Sequence, residues 1–552
     1  MKSLPERPDT DQLKRQAKEL LAGYKRGAPE AMRRFRDALP AASGRDDDAV
    51  AALGLRLHDA QSCLAREYGF ASWADLKTFV EIVRTRETDP AALASTFLRL
   101  VYPSDIAGGT NRARPAAAAR LLERDPDLPK RDPWIACATG DVETVRHRID
   151  ADSAWADRPG GLLKLTPLIA AAHSSLLGVA EYGDRIRATV DLLLDAGADP
   201  NRKLTRQWAA SNDTPPEEWQ VSALHGAAGV NFDPALTRRL LAAGADPNDG
   251  ESLYHSLDNP VCTPLLLEAG AVVTGTNALF RCLDFDDIET FRLLLAQAAG
   301  SEELEDGRLL LWAIRRRRSP AHVEALLAVG VDPAAPTEDG VSAHVQALRY
   351  GMPEIAAMLD KAGVGGDAGD EDLFVAACAR GDADEARQIQ ARRPDFPDTL
   401  GETRLRMLPE LAAAGVNEAV RVMADLGWPI DIRGGDWTAS ALNQAVFRGD
   451  AAMARHLLAH GASWTEKHGF GDNVCGTLGW ASLNRPVEDG DWLACAEALV
   501  EHGMPVAERD PDYPDYVLVA GRRRLFCEEV TAFLLGEEAG PAASPPRRSG
   551  AA

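Results

Sequence analysis

Acids, a serine and a histidine lie close together in residues 240–255, LLAAGADPNDGESLYH. Asp249, Glu251, Ser252 and His255 would suit acid–base catalysis or metal binding, because carboxylates and imidazoles exchange protons and donate lone pairs to cations. Alternatively, Asp-Pro-Asn is a turn, and Ser252 and His255 begin the next structural unit. The pattern along the rest of the chain favours the turn.

A second candidate for chemistry is the stretch HLLAH, where His456 and His460 are four residues apart. On a helix they share a face, as a zinc-binding pair would. No glutamate follows the first histidine and no third ligand stands at a suggestive spacing, so surface or capping histidines are the favoured interpretation. Cys475, in GFGDNVCG, would need an orienting histidine to act as a nucleophile, and the sequence alone cannot place one.

The motifs that cradle phosphates or present a nucleophilic serine are missing. The chain contains no G-x-x-x-x-G-K-[ST], no convincing G-x-G-x-x-G after a strand, and no G-x-S-x-G. We therefore expect no catalytic residues, no cofactor and no bound metal.

Two basic runs stand out, RRRR at residues 315–318 after LLLWAI and GRRRLF at residues 521–526. Either run could bind an anionic partner, or it could be a solvated helix end whose charge nearby acids compensate. The formal net charge of −23 repels nucleic acid and anionic membranes. We expect neither as a partner, and a basic protein fits better.

Short stretches that position these residues recur along the chain. A Leu-rich segment ends at a glycine in VDLLLDAGADPN, RRLLAAGADPN, PLLLEAGAVV, EALLAVGVDP, AAMLDKAGV, ARHLLAHGAS and EALVEHGMPV, and more weakly at Gly300 and Gly427. The spacing drifts around a period of about 33 residues. A second recurring stretch, which we call the head of a unit, precedes many of these segments. Examples are KLTPLIAAA, QVSALHGAA, GVSAHVQAL and TASALNQAV.

Each unit is predicted to be a helix pair. A hydroxyl residue caps the first helix, and small residues let the second helix lie close. Glycine ends the second helix in the left-handed conformation, and Asp-Pro-Asn turns the chain. One pair cannot bury its apolar face alone, so neighbouring pairs must stack.

TPLIAAA…VDLLLDAGADPN and SALHGAA…LLAAGADPN resemble ankyrin repeats. The resemblance implies an all-α fold: an ankyrin-repeat α-solenoid of about ten to twelve degenerate units over residues 130–508. It also implies that His255 supports a turn and that the array serves protein binding. Three stretches depart from the pattern: LTRQWAASNDTPPEEW is an insertion, the unit at residues 250–276 is short, and residues 406–423 lack a proper head.

The flanks are assigned separately. Residues 1–88 are predicted to form a small helical N-terminal domain, similar to the helical regions that precede the repeats in some bacterial ankyrin proteins, and residues 89–129 a helical connector. Residues 509–536 are predicted to be C-terminal capping helices, and residues 537–552, rich in Pro, Ala and Ser, a disordered tail.

Bulk features place the protein among multi-unit soluble chains. Its 552 residues are too many for one core, and 26% of them are charged. Eight scattered cysteines without a C-x-x-C pair favour reduced thiols. The N-terminus has no apolar signal region, and no apolar run is long enough to span a membrane. We expect a cytoplasmic protein.

Tryptophan and arginine dominate binding hot spots, and several tryptophans fall at loop tips or heads of units. Two of them flank the polar insertion, which a regular repeat would not need. Local core filling by the large rings is the alternative. The candidate partner-binding residues are Trp208, Trp219, Glu251, Tyr254, Trp312, Arg315, Arg316, Trp437 and Trp480.

Three functional hypotheses follow. The first is a non-enzymatic interaction module or scaffold that presents a concave ankyrin surface to a protein partner. The second is a hydrolase or metalloenzyme with a site near residues 240–255 or 456–480. The third is a toxin-neutralising or inhibitory protein whose acidity mimics nucleic acid.

Overall fold

The computed structural model describes residues 2, 4–5, 8–70, 72–85, 90–108, 112–208, 217–305, 307–337, 340–513 and 516–536. The chain divides into two compact units: unit 1, Met1–Arg281, and unit 2, Cys282–Ala552. The tail predicted to be disordered lies outside the described residues, as does the tip of the 204–219 insertion.

Helices account for most of the first half of the chain. They are α1 Thr10–Lys25, α2 Pro29–Ala38, α3 Asp47–Ala51, α4 Leu57–Glu67, α5 Trp73–Thr85, α6 Pro90–Val101, α7 Ser104–Ala107, α8 Pro115–Arg124, α9 Leu128–Arg131, α10 Pro133–Thr139, α11 Val142–Ala151, α12 Pro167–Ala172, α13 Ala180–Asp195, α14 Ala223–His225, α15 Pro234–Ala242, α16 Ser252–Ser256, α17 Thr263–Glu268 and α18 Ala278–Cys282. Strands β1 Leu204–Trp208 and β2 Glu217–Val221 form an antiparallel hairpin.

The second half is also mainly helical. Its helices are α19 Ile288–Ala298, α20 Arg308–Arg315, α21 Pro320–Ala328, α22 Ala343–Arg349, α23 Pro353–Lys361, α24 Asp370–Ala379, α25 Ala383–Arg392, α26 Glu402–Leu405, α27 Met407–Ala413, α28 Asn417–Asp425, α29 Ala441–Arg448, α30 Ala451–Ala459, α31 Val474–Asn484, α32 Trp492–Glu501 and α33 Glu528–Leu534. Its strands are β3 Arg433–Gly434, β4 Ala439–Ser440, β5 Glu508–Arg509, β6 Val517–Val519 and β7 Arg522–Arg524. Among the described residues, no helix is long and apolar enough to cross a membrane.

The helices stack in two layers within each unit, which confirms an all-α solenoid fold class. First helices of successive pairs pack on one another, α10 on α12 in unit 1, and α20 on α22 and α29 on α31 in unit 2. Second helices form the other layer, as α11 does with α13 and α30 with α32. Runs of alanine at these contacts, such as residues 170–172, are buried, so the helix axes can lie close together.

Local signals mark the ends of the helices as predicted. The nine glycines that follow the Leu-rich segments all have φ between +77° and +96°, which confirms the predicted left-handed helix ends. The hydroxyls of Thr166, Ser222, Ser342 and Ser440 each accept a backbone N–H from the first turn of the following helix.

The N-terminal helices pack on the start of the array within unit 1. Helix α5 packs on α8, and α6 packs on α8 and α10. The Tyr102 hydroxyl donates to the Ala170 carbonyl oxygen at 2.7 Å. The N-terminal helices and the start of the array therefore belong to one compact unit.

The capping segment at residues 509–536 contains strands as well as a helix, where the sequence analysis predicts helices only. Strands β6 and β7 are joined by Ala520 and Gly521, both at positive φ, +50° and +72°. Two successive residues of positive φ match a tight hairpin turn, and VLV-AG-RRR carries that signal in the sequence.

Candidate functional site

The carboxylate of Asp249, the most enzyme-like feature of residues 240–255, is buried and used for structure. Its Oδ1 accepts the backbone N–H groups of Glu251 and Ser252, at 3.0 and 2.8 Å. Its Oδ2 accepts the hydroxyls of Ser222 and Ser252. Asp249 therefore caps α16 in place of Ser252. Its bond to Ser222 also links two successive helix pairs within unit 1.

Glu251 and Tyr254 are half-buried on the first turn of α16. Oε2 of Glu251 lies 3.2 Å from Nε2 of His255. The Tyr254 ring contacts the His255 ring edge-on, and the Arg281 guanidinium lies 5.3 Å from its centroid. These neighbours hold the phenol ring in place within unit 1.

The two described ends of the insertion at residues 204–219 pair as antiparallel strands, with Arg206 opposite Trp219. Trp219 is half-buried, with its ring 6.1 Å from that of His225. The side chain of Trp208 lies outside the described side chains. The hairpin thus brings one of the two predicted tryptophans over a histidine of the array.

A row of three histidines lies beneath Trp219. The His173 and His225 rings are 5.4 Å apart, and the His225 and His255 rings are 4.9 Å apart. His173 and His225 are buried, whereas His255 is half-buried. Burial, together with the neighbouring imidazoles, lowers the pKa of His225 well below its usual range, which keeps that ring neutral.

Asp105 completes this cluster from helix α7. One ligand atom each from Asp105, His173 and His225 lie within 4.8 Å of one another. Burial opposes ionisation of Asp105, but its contact with His173 outweighs burial and lowers the pKa of the carboxyl group. The sequence analysis did not single out Asp105, His173 or His225, because they come from three distant stretches and share no spacing motif.

Two glycines leave room for these rings. Residues Gly226–Val230 form a single π-helical turn, a feature that often marks functional positions. A Cβ on Gly226 would lie 2.4 Å from Cδ2 of His173, and one on Gly229 would lie 2.6 Å from Cβ of His255. Any larger residue at these two positions would therefore displace the histidines.

In unit 2, the first two arginines of the RRRR run form ion pairs with acidic side chains. Arg315 pairs with Glu410 and Asp436, at 3.2 and 2.9 Å, and Arg316 with Asp284 and Asp436, at 2.8 and 2.7 Å. Both guanidinium groups also lie over the Trp312 ring, 5.1 and 4.4 Å from its centroid. Compensation by acids is therefore the arrangement observed for these two arginines, rather than an open patch for anions.

An aromatic row extends from this cluster: Trp437 on the β3–β4 turn, Phe447 on α29 and Trp480 on α31. The Trp437 and Phe447 rings are 5.6 Å apart. The Phe447 and Trp480 rings are 5.5 Å apart and stack within 10° of parallel, with Trp480 50% exposed. Phe470, which contacts His468 beside Trp437, is also exposed. Trp480 and Phe470 thus expose aromatic surface to solvent beside the half-buried Trp437 and Phe447.

The histidines of HLLAH have an acidic neighbour that the spacing did not predict. Oδ1 of Asp425, at the end of α28, lies 3.3 Å from Nε2 of His456 and 3.1 Å from Nε2 of His460. Asp425 and His460 are exposed and His456 is half-buried, and the three form a second group able to hold a cation.

Cys475 is not suited to nucleophilic attack. Burial raises the pKa of its thiol to about 11, although Arg524 opposes the shift. A thiol of this pKa is protonated at neutral pH, and the thiolate is the reactive form.

Comparison with known proteins gives likenesses among solved structures only. No protein-family model matches the chain, and no curated protein matches it. It is similar to the human ASB11 ankyrin repeat domain, with 16% identity and a TM-score of 0.21 over 41% of this chain and 98% of that one. It is also similar to the ankyrin repeat domain of Bcl-3, a member of the IkappaB family, with 19% identity and a TM-score of 0.19 over 42% of this chain and 87% of that one.

Proposed function

We propose that this chain is a non-enzymatic protein-binding module of ankyrin-like repeats, and that the aromatic row of unit 2 contacts the partner. The observation that carries the proposal is Trp480, half exposed and stacked flat on Phe447. Tryptophan is enriched among binding hot spots, since its large face excludes much water when covered.

The aromatic row is also pre-organised. The carbonyl oxygen of Trp437 accepts the backbone N–H of Gly469 at 2.9 Å, which anchors the turn that carries the ring. Phe447 is held between Trp437 and Trp480. Side chains that are already ordered lose little conformational entropy on binding, so more of the contact energy appears as affinity.

The partner we propose is a basic protein segment. Aromatic faces attract guanidinium and ammonium groups, and the chain as a whole carries a net charge of −23. The arginines that would repel such a segment, Arg315 and Arg316, are paired with acids. In this proposal, Trp312 is a further partner contact within unit 2.

The predicted contacts in unit 1, Glu251, Tyr254, Trp208 and Trp219, remain a second proposed surface. Tyr254 is held by Arg281 and His255, and such ordering supports a role in recognition. A cytoplasmic location belongs to the same proposal. It is supported by the eight cysteines, all of which are free thiols.

A random peptide library displayed against the immobilised full-length chain tests this function. We expect the enriched peptides to carry arginine or lysine beside an apolar residue. Trp480→Ala should weaken the Kd of the best peptide by about 30-fold, the loss typical of a hot spot. The matched control is Tyr513→Ala, which removes a ring of similar exposure, 51%, and should change Kd less than about twofold.

Enrichment of acidic peptides would contradict the proposed partner. Equal effects of the two substitutions would contradict the proposed surface. Unchanged thermal unfolding of Trp480→Ala is required for either conclusion, because a folding defect would lower binding without any role in contact.

A further inference from the structure

We propose that Asp105, His173 and His225 bind one divalent transition-metal ion, with zinc as the expected ion. The three residues lie within unit 1, on α7, at the end of α12 and on α14. They offer two imidazole nitrogens and one carboxylate oxygen, all within 4.8 Å of one another. No metal is expected from the sequence alone, because the three residues share no spacing motif.

Three buried atoms of this cluster lack a hydrogen-bond partner among the described residues: Oδ2 of Asp105 and Nδ1 of both histidines. Oδ1 of Asp105, in contrast, accepts the N–H of Ile106 at 3.0 Å. A buried polar atom without a partner costs about 1–3 kcal/mol. Asp105 and His173 contact each other at ion-pair distance, whereas Nδ1 of His225 has no such neighbour. Because all three residues can offer ligand atoms within 4.8 Å of one another, a shared ligand would satisfy the whole cluster.

The tautomer of His173 follows from its other nitrogen. Nε2 lies 2.8 Å from the carbonyl oxygen of Ser222, which can only accept, so Nε2 carries the proton. In the neutral ring, Nδ1 then holds a lone pair. A metal-binding histidine typically donates its second N–H to a carbonyl or carboxylate in this way, which fixes the ring's orientation.

The separation of the first two ligand atoms fits zinc. Nδ1 of His173 and Oδ2 of Asp105 are 3.2 Å apart. Bonds of about 2.0–2.1 Å at the tetrahedral angle place two ligand atoms about 3.3 Å apart. The same two atoms are within ion-pair distance of each other, and a bound cation would replace that direct contact. The third atom, from His225, has to move by no more than about 1.5 Å to complete the same geometry.

The donor set and its surroundings select the class of ion. Calcium and magnesium prefer oxygen ligands, whereas imidazole nitrogens suit zinc and neighbouring transition metals. Arg206 lies close enough for its charge to interact with Asp105, and its guanidinium donates to the carbonyl oxygens of Ile106 and Leu163. That positive charge weakens purely electrostatic binding, so the nitrogen donors must supply the affinity.

The competing arrangement is a simple ion pair between a protonated His173 and Asp105. It would leave Nδ1 of the buried His225 without a hydrogen-bond partner among the described residues. A bound ion would instead join the connector helix α7 to two successive units of the array, those that begin with α12 and α14. The metal would thereby hold the N-terminal part of unit 1 on the repeats.

The test uses the untagged full-length chain with Asp425→Asn and His460→Gln as the background, which removes the exposed second cluster. Zinc content is measured by mass spectrometry after dialysis, and the zinc-free protein is titrated with Co²⁺ and followed by visible absorption. We expect one zinc per chain in the background protein and a tetrahedral Co²⁺ spectrum. Adding His225→Gln should weaken Co²⁺ binding by more than about 100-fold, since loss of a second-sphere partner alone costs 10–100-fold.

A second substitution protects the test from a folding defect. Asp105→Asn keeps the side-chain size at a position that is 11% exposed, and it should lower the affinity similarly while the circular dichroism is unchanged. The proposal is overturned if the background protein binds no metal at micromolar Zn²⁺ or Co²⁺. It is also overturned if both substitutions leave the affinity unchanged.

Discussion

Replacing Gly226 with alanine should disrupt the histidine cluster, although alanine is ordinarily the better helix former. An added Cβ would lie 2.4 Å from Cδ2 of His173 and 2.8 Å from its Nε2. Carbon atoms in contact are normally about 3.5–4.0 Å apart, so the ring must move by about 1 Å or more. The 2.8 Å hydrogen bond between His173 and the Ser222 carbonyl oxygen would not survive that movement.

The expected change in the free energy of unfolding combines one stabilising and two destabilising effects. Exchange of glycine for alanine in a helix stabilises by about 1 kcal/mol. Overpacking of a closely packed site costs about 1–3 kcal/mol, and a buried ring that loses its hydrogen bond costs a further ~1–3 kcal/mol. The net destabilisation is therefore about 1–5 kcal/mol, with a central value of about 3 kcal/mol.

Hydrogen–deuterium exchange is the suitable assay, because stacked repeats open locally and a chain of this length is not expected to unfold in one step. Peptides that cover residues 167–175 and 222–231 should exchange about 100-fold faster, as ~3 kcal/mol implies. The control is Gly178→Ala, where nothing lies within 4 Å of an added Cβ and no increase is expected.

Protection of both segments equal to that of the unsubstituted chain would refute the close contact between Gly226 and His173. A uniform rise over the whole of unit 1 would refute a local effect instead. The two outcomes separate an error in the ring's position from a general loss of packing.

Three further results are expected in unit 2. Asp372→Ala should destabilise by about 3–5 kcal/mol, because the buried carboxylate pairs with the buried Arg349 at 2.7 Å. Burial opposes ionisation of Asp472, but Arg524 outweighs burial and lowers the pKa of the carboxyl group below its usual 3.8. The ion pair therefore stabilises the folded chain above that pH, and this stabilisation is lost as the pH falls through the lowered pKa. The advantage in melting temperature of the unsubstituted chain over Asp472→Asn should therefore be present at pH 7 and shrink below about pH 4. At pH 8, iodoacetamide should modify Cys475 more than about 100-fold slower than a free thiol, because burial raises the pKa of this thiol to about 11.

Each of these results has its own control. Glu289→Ala removes an exposed partner of Arg292 and should cost less than about 0.5 kcal/mol in chemical denaturation. A pH-independent difference in melting temperature for Asp472→Asn would show that Arg524 does not hold the ionised carboxylate. Rapid alkylation of Cys475 in the native chain, matched to the rate after denaturation, would contradict its burial.

The sequence predicted features that depend on a few neighbouring residues. The left-handed glycines, the hydroxyl caps of α12 and α29, and the Leu-rich second helices follow from backbone sterics and hydrogen bonding within one turn. The hairpin at Ala520 and Gly521 carried a similar local signal, but the expectation of capping helices overlooked it.

The tertiary structure decided which side chains meet. Asp105, His173 and His225 have no common spacing in the sequence. Packing of the connector helix α7 and two successive helix pairs brings them within one cluster. The same stacking pairs Arg315 with Asp436 and lays Phe447 on Trp480. Local sequence determined where each helix begins and ends because those interactions span a single turn. The positions of the candidate sites depend on packing between helix pairs within each unit. Those contacts are set by side-chain shape and join residues far apart in the sequence.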